Sequence, residues 1–533
     1  MYDLLVKNAK IVAGCGGPWF RGDVAVKGGK IEAVGKVFDK EAVKVIDAQG
    51  KVLSPGFIDA HSHADFVCSA INDTLGKISQ GVTTEIVGNC GLSMAPVSQK
   101  TIGELKGYLS PFMPDGVENE WSWESIGGWM DEIDRKGNST NIASLVGHGA
   151  LRILVMGFED RKPDRAELEK MKEVLAKHME DGALGLSTGL IYPPGCFSDT
   201  EELVELCKVV ARYGGIYVTH LRNEGPELIQ AMEEALRIGR ESGCPVHISH
   251  HKSSGRGNFG QVDTTLKMME SARAEGIDVT CDAYPYTAGS TLMSSLLPKW
   301  AHEGGVEKML GRLRDEAARE RIAKDLQSDI QGWENLAKGA GWENILICSC
   351  EVEPCLEGRT IAEIAAEREE TPEECLMDVL LEAGGKATIA LFMMSESDYR
   401  KILAHRLSMV GSDGFAFSFS GVLSKGKPHP RSFGTFPRVL GKYVREEKVL
   451  PLEEAVWKMT GFPAERFGLK DRGLVKEGMV ADLVIFDPEV VIDRSRYEDP
   501  HQQPEGIEYV IMNGEIVIDH TTWSEKTIGR ALR

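Results

Sequence analysis

The chain has 533 residues, 42% of them hydrophobic and 27% charged, which is the composition of a folded globular protein and excludes extensive disorder. Its net charge of −20 disfavours nucleic acid and anionic membrane surfaces as partners, because both carry negative charge. The 11 cysteines are scattered and form no Cys-x-x-Cys pair, so a disulfide framework is not expected.

The amino-terminal residues Met1-Tyr2-Asp3-Leu4 lack the basic and then apolar layout of a signal peptide. No apolar stretch is long and uninterrupted enough to predict a membrane-spanning helix. We therefore expect a soluble, cytoplasmic protein. The oligomeric state is left open by the sequence.

Short strands separated by Gly-rich turns are predicted at both ends of the chain. Near the second end, Asn513-Gly514 is typical of a hairpin turn. We expect the two ends to build one β-domain together. The predicted strands are Leu4–Ala9, Asp23–Val26, Lys30–Val34, Val43–Asp47, Ala481–Phe486 and the two halves of 507–517.

Between these ends, predicted helices alternate with short apolar strands, a pattern that indicates a (β/α)8 barrel. The clearest helices are 165–180, which ends before Gly182, and 226–242, which ends before Gly243. The interval from about 298 to 388 is mostly helical in pattern, with an extra strand predicted at 345–350, and is interpreted as an insertion over the barrel mouth. The eight predicted barrel strands are 56–60, 83–88, 142–146, 183–187, 216–220, 246–250, 278–282 and 407–412.

Side chains that can bind a metal stand at the ends of several predicted barrel strands. His61 and His63 are two residues apart, so both rings can project to the same side. Each residue also has an ordinary interpretation, as a packed thiol, a hydrogen-bonded core histidine or a helix cap. Because catalytic groups of such barrels lie at the carboxyl ends of the strands, their convergence favours a metal site. The six residues are His61, His63, Cys90, His220, His250 and Asp413.

Longer motifs around these positions carry a family resemblance. The chain resembles the amidohydrolase superfamily and, within it, is similar to the N-acyl-D-amino-acid deacylases, also called D-aminoacylases. The resemblance covers nearly the whole length. It rests on Gly56–His63, Gly88–Gly91, Leu184–Gly195, His220, Ser249–Lys252, Tyr284–Thr291, Gly411–Gly414 and His429–Arg438.

The resemblance implies a fold and a metal site. It implies an α/β protein with a TIM barrel at 56–467 and a small β-sandwich domain built from 1–55 and 468–533. It assigns a tightly bound zinc to Cys90, His220 and His250, with His61 and His63 forming a second, weakly filled site that Cys90 can bridge. Hydantoinases and dihydroorotases of the superfamily commonly use a carboxylated lysine of the fourth strand. Here 183–190 contains no lysine, which favours the cysteine type of site.

The resemblance also implies hydrolysis of a linear amide, an activity of the EC 3.5.1 type. Zinc activates water and polarises a carbonyl, and a carboxylate must then move the proton to the leaving nitrogen. Asp413 is the candidate for that role. For the free α-carboxylate of the substrate, the candidate residues are Lys252, Tyr192, Arg431 and Ser290, and His148 is a candidate for the pocket wall.

The substrate loop 290–297 offers no cation for an acidic side chain, so neutral or apolar D-residues are the expected substrates. Two other functions stay open at this point. A cyclic amidase (hydantoinase or dihydroorotase-like) or a deaminase of the same superfamily would share the His-x-His pair and the late aspartate. A non-catalytic scaffold protein is the remote alternative, and it would be expected to lack metal ligands.

Overall fold

Eight parallel strands close into a barrel, which confirms the predicted fold class. The computed structural model describes residues 1–36, 41–72, 74–114, 116–524 and 526–533. The fourth strand, Gly185–Gly189, begins and ends two residues later than predicted, and its last residue pairs with His220 of the fifth strand. In chain order the strands are Phe57–Asp59, Val82–Val87, Asn141–Ser144 (continued by Val146–Gly147), Gly185–Gly189, Ile216–His220, Val246–Ile248, Val279–Ala283 and Ser408–Val410.

The barrel closes between its eighth and first strands. A short parallel pair, Ser62–His63 with Gly414–Phe415, continues these two strands towards the barrel mouth. The Asp413 backbone N–H donates a hydrogen bond of 2.7 Å to the His61 carbonyl oxygen. This closure brings His61 and His63 next to Asp413, although Asp413 is far from them in the sequence.

Helices surround the barrel, and their ends follow ordinary capping chemistry. The helix Arg165–Glu180 has the predicted limits and begins with a capping box between Asp164 and Glu167. The helix Leu228–Ser242 ends at Gly243, whose left-handed conformation (φ 71°) suits a residue without a side chain. The α-helices outside the insertion are Asp65–Cys68, Leu75–Ile78, Ile102–Leu109, Ile126–Lys136, His148–Met156, Arg165–Glu180, Thr200–Arg212, Leu228–Ser242, Val262–Ala274, Glu396–Ala404, Arg431–Arg438, Leu452–Met459 and Gly461–Arg466.

Strands from both ends of the sequence form one sheet of nine strands beside the barrel. Its central pairing joins Val52–Pro55 to Leu483–Phe486, so the two ends are connected by direct backbone hydrogen bonds. Leu4, Val24 and Ile485 belong to its own apolar core. The division of the chain into two domains stays a prediction. The strands of this sheet are Tyr2–Ile11, Phe20–Lys27, Lys30–Gly35, Ala42–Asp47, Val52–Pro55, Leu483–Phe486, Ile507–Met512, Glu515–Asp519 and Thr522–Trp523.

Residues 529–532 pair with the third barrel strand, at the end opposite the predicted metal residues. The Ile142 N–H donates to the Arg530 carbonyl oxygen, and the Leu532 N–H donates to the Ile142 carbonyl oxygen, at 2.9 and 2.8 Å. Leu532 packs against the apolar cluster inside the barrel. The segment therefore completes part of the barrel wall.

The segment between the seventh and eighth barrel strands has an apolar core of its own. It differs from the mostly helical expectation, because it also contains an antiparallel sheet of three strands. One of them, Ile345–Ser349, lies at the predicted extra strand. The strands are Gly289–Leu292, Ile345–Ser349 and Thr388–Leu391, and the helices are Val306–Leu313, Glu316–Leu326, Leu336–Ala340, Ile361–Arg368 and Pro372–Glu382.

Among the described residues, no helix combines the length and the apolar character that crossing a membrane requires.

Candidate metal centre and substrate cavity

The structure brings the predicted metal residues together at the carboxyl ends of the barrel strands. Cys90 Sγ lies 3.4 Å from His61 Nε2 and 3.5 Å from His250 Nε2. Asp413 Oδ1 lies 3.4 Å from His61 Nε2 and 3.2 Å from His63 Nε2. One thiol, three imidazoles and one carboxylate therefore face the same small volume.

These separations fit zinc. With Zn–S of about 2.3 Å and Zn–N or Zn–O of about 2.0–2.1 Å, the edges of a tetrahedral zinc site are roughly 3.3–3.6 Å long. The distances that involve Cys90 and Asp413 are close to this range. A mixed sulfur, nitrogen and oxygen donor set also suits zinc better than magnesium or calcium, which prefer oxygen ligands alone. His61, Cys90, His250 and Asp413 could thus hold an ion together.

His220 completes the predicted set from the fifth strand. Its ring is 5% exposed and lies 4.4 Å from the His250 ring, measured between ring centroids and at nearly a right angle. Within the described part of the chain, neither ring nitrogen of His220 has a hydrogen-bond partner, and Glu224 Oε2 lies 3.6 Å from Nε2. A buried imidazole without partners is costly, and a metal ligand role would remove that cost.

The backbone is strained where three of these side chains leave the barrel. Cys90, His250 and Asp413 have φ values of 55°, 35° and 52°, in the left-handed region that side chains disfavour. Such conformations cost of order 1–3 kcal/mol each and are kept where the surrounding structure enforces them. At each position the chain turns sharply after a strand, which directs the side chain towards the shared volume.

Charge around the site keeps its acids ionised. Burial raises the pKa of the Cys90 thiol, but the neighbouring His61 and His250 rings outweigh burial and hold that pKa well below its usual value. Burial likewise raises the pKa of Asp413, and the Arg431 guanidinium, 2.7 Å from Oδ2, lowers it well below the usual range. Cys90 is therefore available as a thiolate ligand and Asp413 as a proton acceptor.

Asp282 is a site residue that the sequence analysis did not identify. It is fully buried, and its Oδ2 lies 3.3 Å from His61 Nδ1 and 2.8 Å from His247 Nε2. Its Oδ1 accepts a 2.9 Å hydrogen bond from the His250 backbone N–H. A carboxylate behind a metal-binding imidazole fixes the ring orientation. Asp282 is the last residue of the predicted seventh strand, so its strand-end position was the available signal.

Glu224 is a second residue that was missed. It lies four residues after His220, is 5% exposed and contacts Lys252 Nζ at 2.7 Å through each of its two oxygens. Glu224, His220 and His250 form a further group that could hold a cation, and the Lys252 ammonium already lies against two of them. Lys252 is therefore at the site, as predicted, but it is paired with a carboxylate there.

A cavity opens beside the metal residues and is lined by the predicted substrate-binding residues Lys252, Tyr192, Arg431 and Ser290. Arg431 Nη2 donates a 3.1 Å hydrogen bond to the Ser290 carbonyl oxygen. The Tyr192 hydroxyl shares a 2.8 Å hydrogen bond with the Thr291 hydroxyl. These contacts join barrel loops to the first strand of the insertion and give one wall of the cavity a polar, partly cationic character.

His148 is the predicted pocket residue that the structure places elsewhere. Its Nε2 lies 2.7 Å from Glu202 Oε1, and the Glu202 carboxylate also forms a buried ion pair with Arg152. It is not among the described residues that line the cavity. The position after the third strand was identified correctly, but His148 begins a helix there and its ring contacts Glu202.

Seven apolar side chains also line the cavity. The two cationic residues that line it within the described ranges, Lys252 and Arg431, already face Glu224 and Asp413. An acidic group of a ligand would therefore compete with a carboxylate of the protein for either cation. The apolar lining residues are Leu92, Phe112, Ile191, Leu336, Leu391, Met393 and Phe415.

Comparisons with known proteins agree with this site. The model of the Amidohydrolase family matches residues 44–518. The D-aminoacylase of Alcaligenes xylosoxydans xylosoxydans is 38% identical over 534 residues, which span 100% of this chain and 97% of that protein.

Two relatives are among the solved structures that match the whole of this chain. One is a D-aminoacylase described by its binuclear metal centre, with one-metal activation and second-metal attenuation. It is 37% identical, the match spans 100% of both chains, and the TM-score is 0.84. The other is N-acyl-D-glutamate deacylase from Bordetella bronchiseptica, complexed with zinc and a phosphonate mimic of the tetrahedral intermediate. It is 32% identical, the match spans 100% of this chain and 99% of that protein, and the TM-score is 0.83.

Proposed function

This chain belongs to the amidohydrolase family, and from that premise we propose that it hydrolyses N-acyl-D-amino acids in a zinc-dependent reaction. The products are a carboxylate and a free D-amino acid. The observation that carries this function is the zinc-compatible cluster of Cys90, His61, His250 and Asp413 at the end of a cavity with a cationic wall. Relatives that deacylate N-acyl-D-amino acids match the chain over its full length.

For the metal, we propose one tightly held zinc at Cys90, His220 and His250 and a weaker second ion at His61 and His63. Support comes from the position of Cys90, whose sulfur lies between His61 and His250 at similar distances. The two unpartnered nitrogens of His220 also support its role as a ligand. When bound, zinc lowers the pKa of its water to about 7 and polarises the amide carbonyl.

The proposed roles of the protein groups follow from their contacts. Asp413 accepts the proton of the attacking water at Oδ1 and delivers it to the leaving nitrogen, because it is ionised and adjoins the metal residues. Arg431 keeps Asp413 oriented through Oδ2 and faces the α-carboxylate of the substrate. Lys252, Tyr192 and Ser290 line the same wall and complete the contact with that carboxylate.

We further propose that the preferred D-residues have neutral or apolar side chains, such as leucine, methionine or phenylalanine. The apolar wall supports this preference. The two cationic residues among the described lining residues, Lys252 and Arg431, are assigned to the α-carboxylate, so an acidic side chain would meet no further cation there.

A substrate panel run on one preparation of measured zinc content tests the function. It comprises N-acetyl derivatives of D-leucine, D-phenylalanine, D-glutamate and L-leucine, together with hydantoin and a nucleobase. We expect hydrolysis of the neutral D-substrates, weak activity on D-glutamate and none on the L-isomer, with activity lost on chelation and restored by zinc. Turnover of hydantoin or the nucleobase alone would indicate a cyclic amidase or a deaminase, and would overturn the proposal.

A further inference from the structure

Glu224 is a buried carboxylate that contacts both the metal residues and the substrate wall. Its Oε1 lies 3.1 Å from His250 Nδ1, and both of its oxygens lie 2.7 Å from Lys252 Nζ. Its Oε2 lies 3.6 Å from His220 Nε2. No other described carboxylate contacts Lys252.

Glu224, His250 and Lys252 form a triangle of polar groups. When His250 binds a metal, only one assignment of hydrogen-bond donors and acceptors satisfies all three. Lys252 Nζ also lies 2.8 Å from His250 Nδ1. An imidazole that binds a metal through Nε2 carries its proton on Nδ1, so Nδ1 donates and cannot accept from an ammonium group. Both His250 Nδ1 and Lys252 Nζ are then donors, and the Glu224 carboxylate is their shared acceptor.

The backbone of Glu224 is fixed as well. Its N–H donates a 2.7 Å hydrogen bond to Glu334 Oε2, which belongs to the insertion, and its carbonyl oxygen accepts a 2.7 Å hydrogen bond from the Ser254 N–H. Ser254 lies two residues beyond Lys252 on the loop that follows the sixth strand. The backbone that carries this carboxylate is therefore held in place from two sides.

We propose that Glu224 is a positioning residue that orients His250 for the metal and Lys252 for the substrate carboxylate through one shared carboxylate. The metal and the carboxylate contact are thus linked, since the same group fixes both. The substrate half of this role rests on the proposed deacylase function, whereas the metal half does not depend on it.

The test compares Glu224→Gln with Lys252→Met. We expect Glu224→Gln to weaken zinc binding about 10- to 100-fold, the usual effect of losing a group that orients a metal ligand. We expect its KM for N-acetyl-D-leucine, measured with zinc saturating, to rise on the order of 10-fold. Lys252→Met should raise KM similarly while leaving the zinc dissociation constant within about 2-fold, because Glu224 still accepts from His250.

Glu233→Gln is the matched control, since Glu233 is exposed on the helix that follows and should change neither quantity. Zinc affinity is measured by competition with a chelator, and circular dichroism checks folding. If Glu224→Gln does not fold, Glu224→Asp serves as the second variant, and a smaller loss of zinc affinity is expected for it. Unchanged zinc affinity in both Glu224 variants overturns the proposal, as does an equal loss in Lys252→Met. A wild-type protein that binds zinc but hydrolyses no N-acyl-D-amino acid contradicts the deacylase function instead.

Discussion

Asp413 concentrates the chemistry of the site in one side chain. Its Oδ1 adjoins two histidines that face the metal position, and its Oδ2 pairs with Arg431. This arrangement fixes the carboxylate at two points and keeps it ionised, which a group that must accept and return a proton requires. An amide at this position keeps the shape but cannot accept the proton.

Asp413→Asn is therefore expected to lower kcat about 10²- to 10⁴-fold, the usual contribution of general acid–base catalysis. The tightly held zinc should stay bound, because its proposed ligands Cys90, His220 and His250 are unchanged. Steady-state kinetics and zinc content on one preparation measure both effects. Asp493→Asn is the control, since Asp493 is also a buried aspartate paired with an arginine, Arg438, and lies outside the cavity. Wild-type turnover in Asp413→Asn would rule out the proposed role.

Among single residues, strand-end positions were the most informative signal in the sequence. His61, Cys90, His220, His250 and Asp413 were found because each follows or ends a predicted barrel strand. Glu224 and Asp282 contact these residues from behind, and their roles depend on distances across the barrel mouth that no spacing in the sequence encodes.

At the scale of elements, the insertion docks onto the barrel through a buried carboxyl group. Glu334 lies just before the helix Leu336–Ala340 and accepts a hydrogen bond from the Glu224 backbone N–H. Burial, reinforced by the charge of Glu224, raises the pKa of Glu334 to about 8, from 4.5. The folded chain therefore holds a proton at neutral pH that the unfolded chain has already released.

This shift predicts how stability depends on pH. Between about pH 4.5 and 8 the folded state binds more protons at Glu334 than the unfolded state does, so the free energy of unfolding falls as pH rises through that window. Glu334→Gln removes the titration and should be stabilised relative to wild type by an amount that grows towards pH 8, reaching a few kcal/mol. Urea unfolding at several pH values measures the difference.

The control for this experiment is Glu373→Gln, at another buried glutamate of the insertion, whose carboxylate accepts a hydrogen bond from Gln327. If the unfolding free energies of wild type and Glu334→Gln ran parallel from pH 5 to 8.5, the carboxyl group would not be the source of the pH dependence.

At the scale of the whole molecule, distant segments complete both sheets. The nine-stranded sheet joins the two ends of the sequence, and residues 529–532 extend the barrel wall at the third strand. Three backbone–backbone hydrogen bonds hold this segment, one between Gly529 and Asn138 and two that join Ile142 to Arg530 and Leu532. The Ala531 and Arg530 N–H groups also donate to the side chains of Asp134 and Asn141. Their loss would also expose the buried backbone of Ile142.

Deletion of residues 529–533 is expected to lower the free energy of unfolding by roughly 2–4 kcal/mol, since each backbone hydrogen bond contributes about 1 kcal/mol net. Zinc content should be unchanged, because the metal residues lie at the opposite end of the strands. Denaturant unfolding and elemental analysis measure the two effects. Arg530→Ala, which removes an exposed side chain and keeps the backbone pairing, is the control. An unfolding curve like that of wild type would show that the pairing adds no stability.

The sequence by itself determined the barrel and the residues at its strand ends. Apolar strands alternating with amphipathic helices have few stable arrangements, and in a parallel barrel every carboxyl end reaches the same face. It therefore identified Cys90, His220, His250 and Asp413 without any distance. Their family-like motifs then indicated the reaction.

Only the tertiary structure decided which contacts these residues make. His148 is paired with Glu202 away from the cavity, Lys252 shares Glu224 with His250, and residues 529–532 lie on the barrel wall. Such contacts join residues that are tens to hundreds of positions apart, and they depend on how side chains pack once the barrel has closed. Local sequence patterns encode periodicity and turns, but they carry no information on which buried acid meets which base.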